Sequence, residues 1–542
     1  SLLFRVAQVV EKVEGFTVSP PGATYAGSPQ RIFFRYRYTY KNLLQFGVVG
    51  DKDAGEQFFK GAQNKGFDFY SFHLFARKIG SIQSLAVGDF SVNMGQGLIQ
   101  WQGLGFRKSV DVMGVKRQSE VLRPYSSAGE FNFHRGAGIT IKKGRFEVSA
   151  FASFRKLDGN YVTDTLNKEE VISSFLTSGY HRTPGEIADR NNLSQSSFGA
   201  TINYRGKRWQ AGLNGIYYSF SIPVQKRSEP YNLYAISGKH WYNFSADYSY
   251  TYKNLHFFGE AAADKNFNKA FMNALLISVD ARVDLSVVFR MLHKAYQSIN
   301  GNAFTENTYP TNETGFYTGV TIRPAPGWRV DVYGDIYKFP WLKYLVDAPG
   351  YGKDFLVQLT YTPNRQLEVV TRFRSEAKQS NQPGNSSITN FLVNIPKQNW
   401  RTQVTVKLHP AITLRNRIEL LWYDNKGVNK ENGFLGFMDV IYKPMLQPFS
   451  GILRLQYFET DDYNSRIYAY ENDVLYSFSI PAFFDKGFRY YFTLSYDLSK
   501  KISFWLRWSQ TLYQKRSLPG SGPGDIPGNN RSEVKTQVRW VF

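Results

Sequence analysis

The stretch densest in chemistry-bearing side chains is Gly88–Gly136, GDFSVNMGQGLIQWQGLGFRKSVDVMGVKRQSEVLRPYSSAGEFNFHRG. Lys108, Lys116, Arg117, Arg123 and Arg135 make it basic, and Trp101, Phe106 and Tyr125 add flat faces for stacking. Gln96 sits among Gly95, Gly97, Gly103 and Gly105, glycines that let backbone approach closely. Elsewhere, Asp51-Lys-Asp-Ala-Gly-Glu56 has the outline of a calcium loop but lacks the full spacing and terminal glutamate of an EF-hand. Asp461-Asp462 is a second acidic spot, which reads as a loop tip. The seven histidines are scattered, with no metal-ligand pair at helical spacing. There is no cysteine, no Gly-x-Ser-x-Gly elbow and no phosphate-binding loop. No catalytic set, metal set or cofactor is assigned.

What positions these residues is legible in the last strand. Val534, Thr536, Val538, Trp540 and Phe542 fall on one face of an extended Ser532–Phe542, and Glu533, Lys535, Gln537 and Arg539 on the other. A terminal strand that is apolar on one face and ends in Trp540 and Phe542 reads as a membrane-insertion signal of an outer-membrane β-barrel. The same alternation recurs along the chain. Ile32, Phe34, Tyr36 and Tyr38 oppose Arg31, Arg35 and Arg37; Leu367, Val369 and Phe373 oppose Glu368, Arg372 and Arg374. Ile412, Leu414, Ile418 and Leu420 oppose Arg415, Arg417 and Glu419, and Ile502–Leu512 carries Arg507. Each segment is long enough to cross a bilayer when tilted.

Aromatics make up 17% of the 542 residues while mean hydropathy is −0.39, a combination that fits aromatic girdles around a polar interior. Short turns such as Lys41-Asn42, Lys142–Gly144 and Lys253-Asn254 alternate with mostly long polar connections, among them 53–65, 93–130, 156–194 and 458–487. Counting back from Phe542 gives eleven short turns and twelve outer connections, hence 24 strands within a range of 22–26. This count treats Tyr468–Ile480 as an excursion inside one outer loop. A chain of soluble β-sandwiches or a propeller is the alternative, but it would place fewer Tyr and Trp on the apolar faces, and no 40–50-residue repeat is visible.

The expectation is one all-β domain over 1–542: a transmembrane antiparallel barrel of the bacterial outer membrane, both termini periplasmic and the long loops outside. A barrel of this size leaves an aqueous channel unless something fills it. That favours 93–130 as a plug or constriction, bringing Gln96, Trp101, Phe106, Lys108, Arg117, Arg123, Tyr125 and Arg135 into the lumen, over an ordered extracellular loop. Arg35, Arg37, Arg372, Arg374, Arg415, Arg417, Arg507 and Arg539 are the basic positions expected to face it.

GDFSVNMGQGLIQWQGLGFRKS and VLRPYSSAGEFNFHRGAG resemble a family of outer-membrane proteins of Bacteroidetes-type bacteria, described as helix-hairpin-helix domain-containing proteins. FGVVGDKDAGEQFF, GFDFYSFHLF and NSRIYAYENDVLYSFSIPAF support the resemblance, which spans nearly the whole chain. It implies a small periplasmic DNA-binding module ahead of a large barrel; that module is not within these residues. A DNA role therefore rests on the resemblance and on the net charge of +22.

The leading functional expectation is a transport or translocation channel for a large or polyanionic substrate, DNA uptake included. The alternative is a non-conducting structural or docking subunit of an outer-membrane assembly. A surface enzyme is a third class, without a motif to support it. Partners expected are outer-membrane lipid and lipopolysaccharide, the outer-membrane assembly machinery, other outer-membrane or periplasmic proteins, and DNA.

Overall fold

The computed structural model describes residues 1–17, 24–163, 170–385, 390–426 and 429–542. Parts of four expected outer connections, 18–23, 164–169, 386–389 and 427–428, lie outside the described residues.

Period-two alternation forces successive side chains to opposite faces, and 24 such strands close on themselves here. Each wall strand pairs antiparallel with its neighbours in the chain. The first strand, Leu2–Val9, pairs antiparallel with the last, Asn530–Trp540, from Leu2 opposite Trp540 to Val9 opposite Glu533. Closure removes the edges that an open sheet would leave unpaired. Eleven turns of two to six residues join the strands at one end, and twelve connections at the other. Among the turns, Lys41 (φ 47°) and Lys253 (φ 52°) adopt the left-handed conformation that tight hairpins need. Tyr468–Ile480 stays inside the connection between Phe449–Thr460 and Lys486–Asp497, where Ile467–Tyr468 pairs only with Ala482–Phe483. The expected count of 24 therefore holds.

The barrel is apolar outside and polar within. Phe4, Phe72, Phe198, Leu213, Phe316 and Phe355 are exposed on the outer face. Glu260, Arg290, Asp331, Asp335, Asp354 and Asp439 are buried on the inner one. A soluble protein avoids an exposed apolar belt of this extent, whereas lipid requires it. The chain forms a transmembrane β-barrel of the outer-membrane type. At the aromatic end of the seam, Phe542 stacks on Tyr36 (centroids 5.8 Å, 17° between planes) and meets Trp540 edge-on.

Candidate functional site in the barrel lumen

Two long connections turn inward into the lumen, and a third, 293–312, packs against the first with Tyr296, Ala303 and Phe304 buried. The first joins Ile82–Val92 to His134–Lys143. It enters with Met94, Leu98 and Ile99 buried, and its backbone is caught at once: Gln96 N and Leu98 N donate to Glu260 Oε2 at 2.7 and 3.0 Å. Gly95 (φ 52°) makes this approach possible, since a Cβ there would lie 2.6 Å from Glu260 Cδ. Tyr218 donates to Gln100 Oε1 (2.7 Å) and Tyr296 to the Leu98 carbonyl (3.1 Å). Deeper in, Ser286 Oγ donates to the Val112 carbonyl (2.6 Å), Lys116 Nζ lies 2.8 Å from His256 Nε2, and Glu120 pairs with Arg77 (2.8 Å). Arg77, His256 and Ser286 all lie within four residues of the turn end of their strands. The segment thus runs the depth of the barrel before Leu122–Pro124 returns alongside Phe90–Val92.

Ion pairs add to this packing. Lys108 Nζ lies 2.6 Å from Glu306, 3.0 Å from Asp335 and 2.9 Å from Asp354. Burial opposes the ammonium charge, but these three carboxylates outweigh it and raise the Lys108 pKa. Glu306, on the neighbouring loop, is likewise buried, yet Lys108 and Lys378 pull it down to about 2. Arg290 pairs with Glu313 and Asp335, and Arg374 forks onto Asp354 at 3.0 and 2.7 Å. Arg117 donates to the carbonyls of Phe106, Asn302 and Ala303.

The second inserted connection is 461–485. Glu471 accepts from Arg489 (2.6 and 2.9 Å) and from Arg507 (2.6 Å), while Asp473 pairs with Lys535 (2.7 Å). The Leu475 carbonyl accepts from Arg5 and Gln537, and Arg35 lies over the Tyr476 ring at 4.4 Å.

Between the two inserted segments lie two cavities, each walled by both. One, about 520 Å³, is bounded by Arg123–Ala128 of the first, Tyr476 and Ser477 of the second, and the strands at the seam. Arg5, Arg31, Arg35 and Lys535 reach it with Arg123, against one carboxylate, Asp51. The other, about 370 Å³, lies between Lys108–Val110 and Arg466–Tyr468, with Arg372, Lys397 and Arg401 on its wall and Glu376 and Glu419 among them.

The residues singled out in the sequence divide accordingly. Arg35, Arg123 and Tyr125 meet at the first cavity, and Lys108, Arg372 and Arg374 at the second. Lys108, Arg117, Arg374 and Arg507 are held by internal partners, as is Arg135, which forks onto Asp89. Arg415 lies 3.6 Å from Asp439, Arg417 reaches Gln403, and Arg539 lies over Trp505. Gln96 is locked to Arg117 backbone and Trp101 is buried, but Phe106 stays 64% exposed. Arg37 sits toward the turn end beside Ser1. Sequence reasoning passed over Arg5, Arg401, Lys397 and Lys535 as site residues, although their strands carry the same alternation.

It also passed over a cluster at the loop end. Glu56, Asp68 and His181 offer ligand atoms within 4.8 Å of one another. Both ring nitrogens of His181 are already taken, Nδ1 by Asp68 (2.6 Å) and Nε2 by Asp158 (3.1 Å). Burial disfavours the imidazolium, yet these two partners raise its pKa to about 10. Burial and the charge of Asp68 push nearby Glu130 up to about 9 and Glu56 to about 7. The cluster is a charged clamp across three connections, which local spacing does not reveal. The calcium outline at Asp51–Glu56 holds an ammonium instead: Lys52 Nζ donates to the carbonyls of Ser28, Gln30 and Asp53. Asp462 caps a short 3-10 turn, and Asp461 accepts from Asn432.

No protein-family model matches the chain, and no curated protein does. Among solved structures it is similar to the siderophore receptor PirA from Pseudomonas aeruginosa (9% identity, TM-score 0.45, 100% of this chain and 80% of that one). It is also similar to the copper transporter OprC (9%, 0.45, 99% and 80%) and to the unliganded ferric citrate transporter FecA (8%, 0.46, 99% and 78%).

Proposed function

We propose that this barrel is a gated outer-membrane transporter for a small anionic solute, with its long connections outside and its short turns in the periplasm. The observation that carries the reading is the lumen itself. Two long inserted segments occupy it, and the space left between them is lined by more guanidinium and ammonium groups than carboxylates. The sidedness is supported by the asymmetry of connection length. Cavities of about 370 and 520 Å³ suit a small molecule rather than a nucleic-acid strand, so DNA uptake is not part of this proposal. The resemblance to Bacteroidetes outer-membrane proteins agrees with the location and leaves the solute open.

Passage requires one inserted segment to move, and 461–485 is the one held mainly by ion pairs. The test is the reversal potential under a salt gradient for a variant lacking residues 466–482. An anion-selective current supports the proposal; a cation-selective current refutes it.

A further inference from the structure

We infer that the seam cavity is a binding site for a small, multiply charged oxyanion, a carboxylate or a phosphate. As the recognition step of the proposed transporter it rests on that reading; as a binding site it is measured without it. Five cations face this cavity, and Asp51 is its one carboxylate. Arg31 is paired with Asp53, and Lys535 with Asp473. Arg5, Arg35 and Arg123 form no ion pair among the described residues. Arg5 donates to neutral acceptors, the Gln537 amide and the Leu475 carbonyl, and Arg35 lies on the Tyr476 ring. Three guanidinium groups converging on a partly closed space repel one another unless an anion joins them. Their planar forks match carboxylate and phosphate oxygens two at a time. Phe33, Tyr125 and Tyr476 give the carbon frame of such a solute an apolar wall. The volume of about 520 Å³ falls in the range of small-molecule sites. The second cavity differs, because Glu376 and Glu419 stand among its cations.

The test is calorimetric titration of the full chain in detergent with tricarballylate, inorganic phosphate and acetate. A trivalent or divalent ion should bind at least tenfold tighter than acetate. The double variant Arg35→Gln/Arg123→Gln should weaken that binding at least tenfold, with the barrel still shown folded by its heat-modifiable gel mobility. Arg372→Gln/Arg401→Gln should leave it unchanged. Equal binding of acetate and tricarballylate, or loss of binding only in the second variant, would overturn the assignment. If multivalent ions bind as described while the 466–482 deletion carries no current, the transport reading fails and the site stands.

Discussion

The two inserted segments occupy one lumen but differ in what holds them there. In 93–133, Met94, Leu98, Ile99, Val112 and Val115 are buried among wall residues such as Phe258, Met272 and Val288. Burying each such side chain is worth about 1.5–3 kcal/mol. In 461–485, only Ile467, Ala469 and Phe483 join a small apolar cluster, and most of the hold is polar: Glu471 and Asp473 with their basic partners, and hydrogen bonds at Tyr470, Asn472 and Leu475. Buried ion pairs roughly balance their desolvation, so releasing such charges into water costs little net energy. A segment packed by apolar contact stays; a segment held by charge can be let go by competing ions. In the transporter proposed here, the first would be a fixed plug and the second a movable gate.

The largest effect should come from attacking the fixed segment. Lys108→Met leaves Glu306, Asp335 and Asp354 without their shared ammonium, and stability should fall by about 3–5 kcal/mol. A denaturant titration of the folded barrel reads this directly, and an unchanged midpoint would break the contrast. On the movable segment, Glu471→Gln removes the one charge that Arg489 and Arg507 share, so 461–485 should become accessible to added protease at least tenfold faster. The 93–133 segment should remain uncut in the same sample; equal cutting of both would erase the distinction.

The clamp at the loop end gives a pH-dependent version of charge-held structure. His181 has its pKa raised from 6.5 to about 10, so its contribution is complete below about 6.5 and is lost as pH rises through about 10. Glu130, raised from 4.5 to about 9, acts in the same direction, since its buried carboxyl resists ionisation as pH increases. Limited proteolysis in 158–192 should therefore accelerate between pH 7 and pH 10, and His181→Gln should flatten that profile. A profile equally steep in the variant would remove His181 from the clamp. The smallest effect is expected at the seam: Phe542→Ala removes one ring stacked on Tyr36, worth about 1 kcal/mol in thermal stability.

Alternation made the barrel legible, because every wall strand must show lipid one face and the lumen the other. Phe4, Phe72 and Phe316 are exposed where the pattern puts them outside, and Asp331 and Asp335 are buried where it puts them inside. Alternation does not say which inward cation has a partner. Arg35 and Arg374 look alike in sequence, yet Arg374 forks onto Asp354 while Arg35 lies on the Tyr476 ring with no carboxylate partner among the described residues. The partners that decide this are distant, as with Gln96 and Glu260, 164 residues apart. Composition marked Gly88–Gly136 as unusual; the carboxylates that hold Lys108 come from a loop and two strands far along the chain.

The contrast between plug and gate is tested most directly by single-channel conductance of three forms in planar bilayers: the full chain, a variant lacking 466–482, and one lacking 94–130. A fixed plug and a movable gate predict a closed or rarely opening full chain and stable opening when 466–482 is removed. The form lacking 94–130 should give the largest conductance. A full chain that is already open, or three forms that all stay silent, would contradict a lumen gated by these two segments.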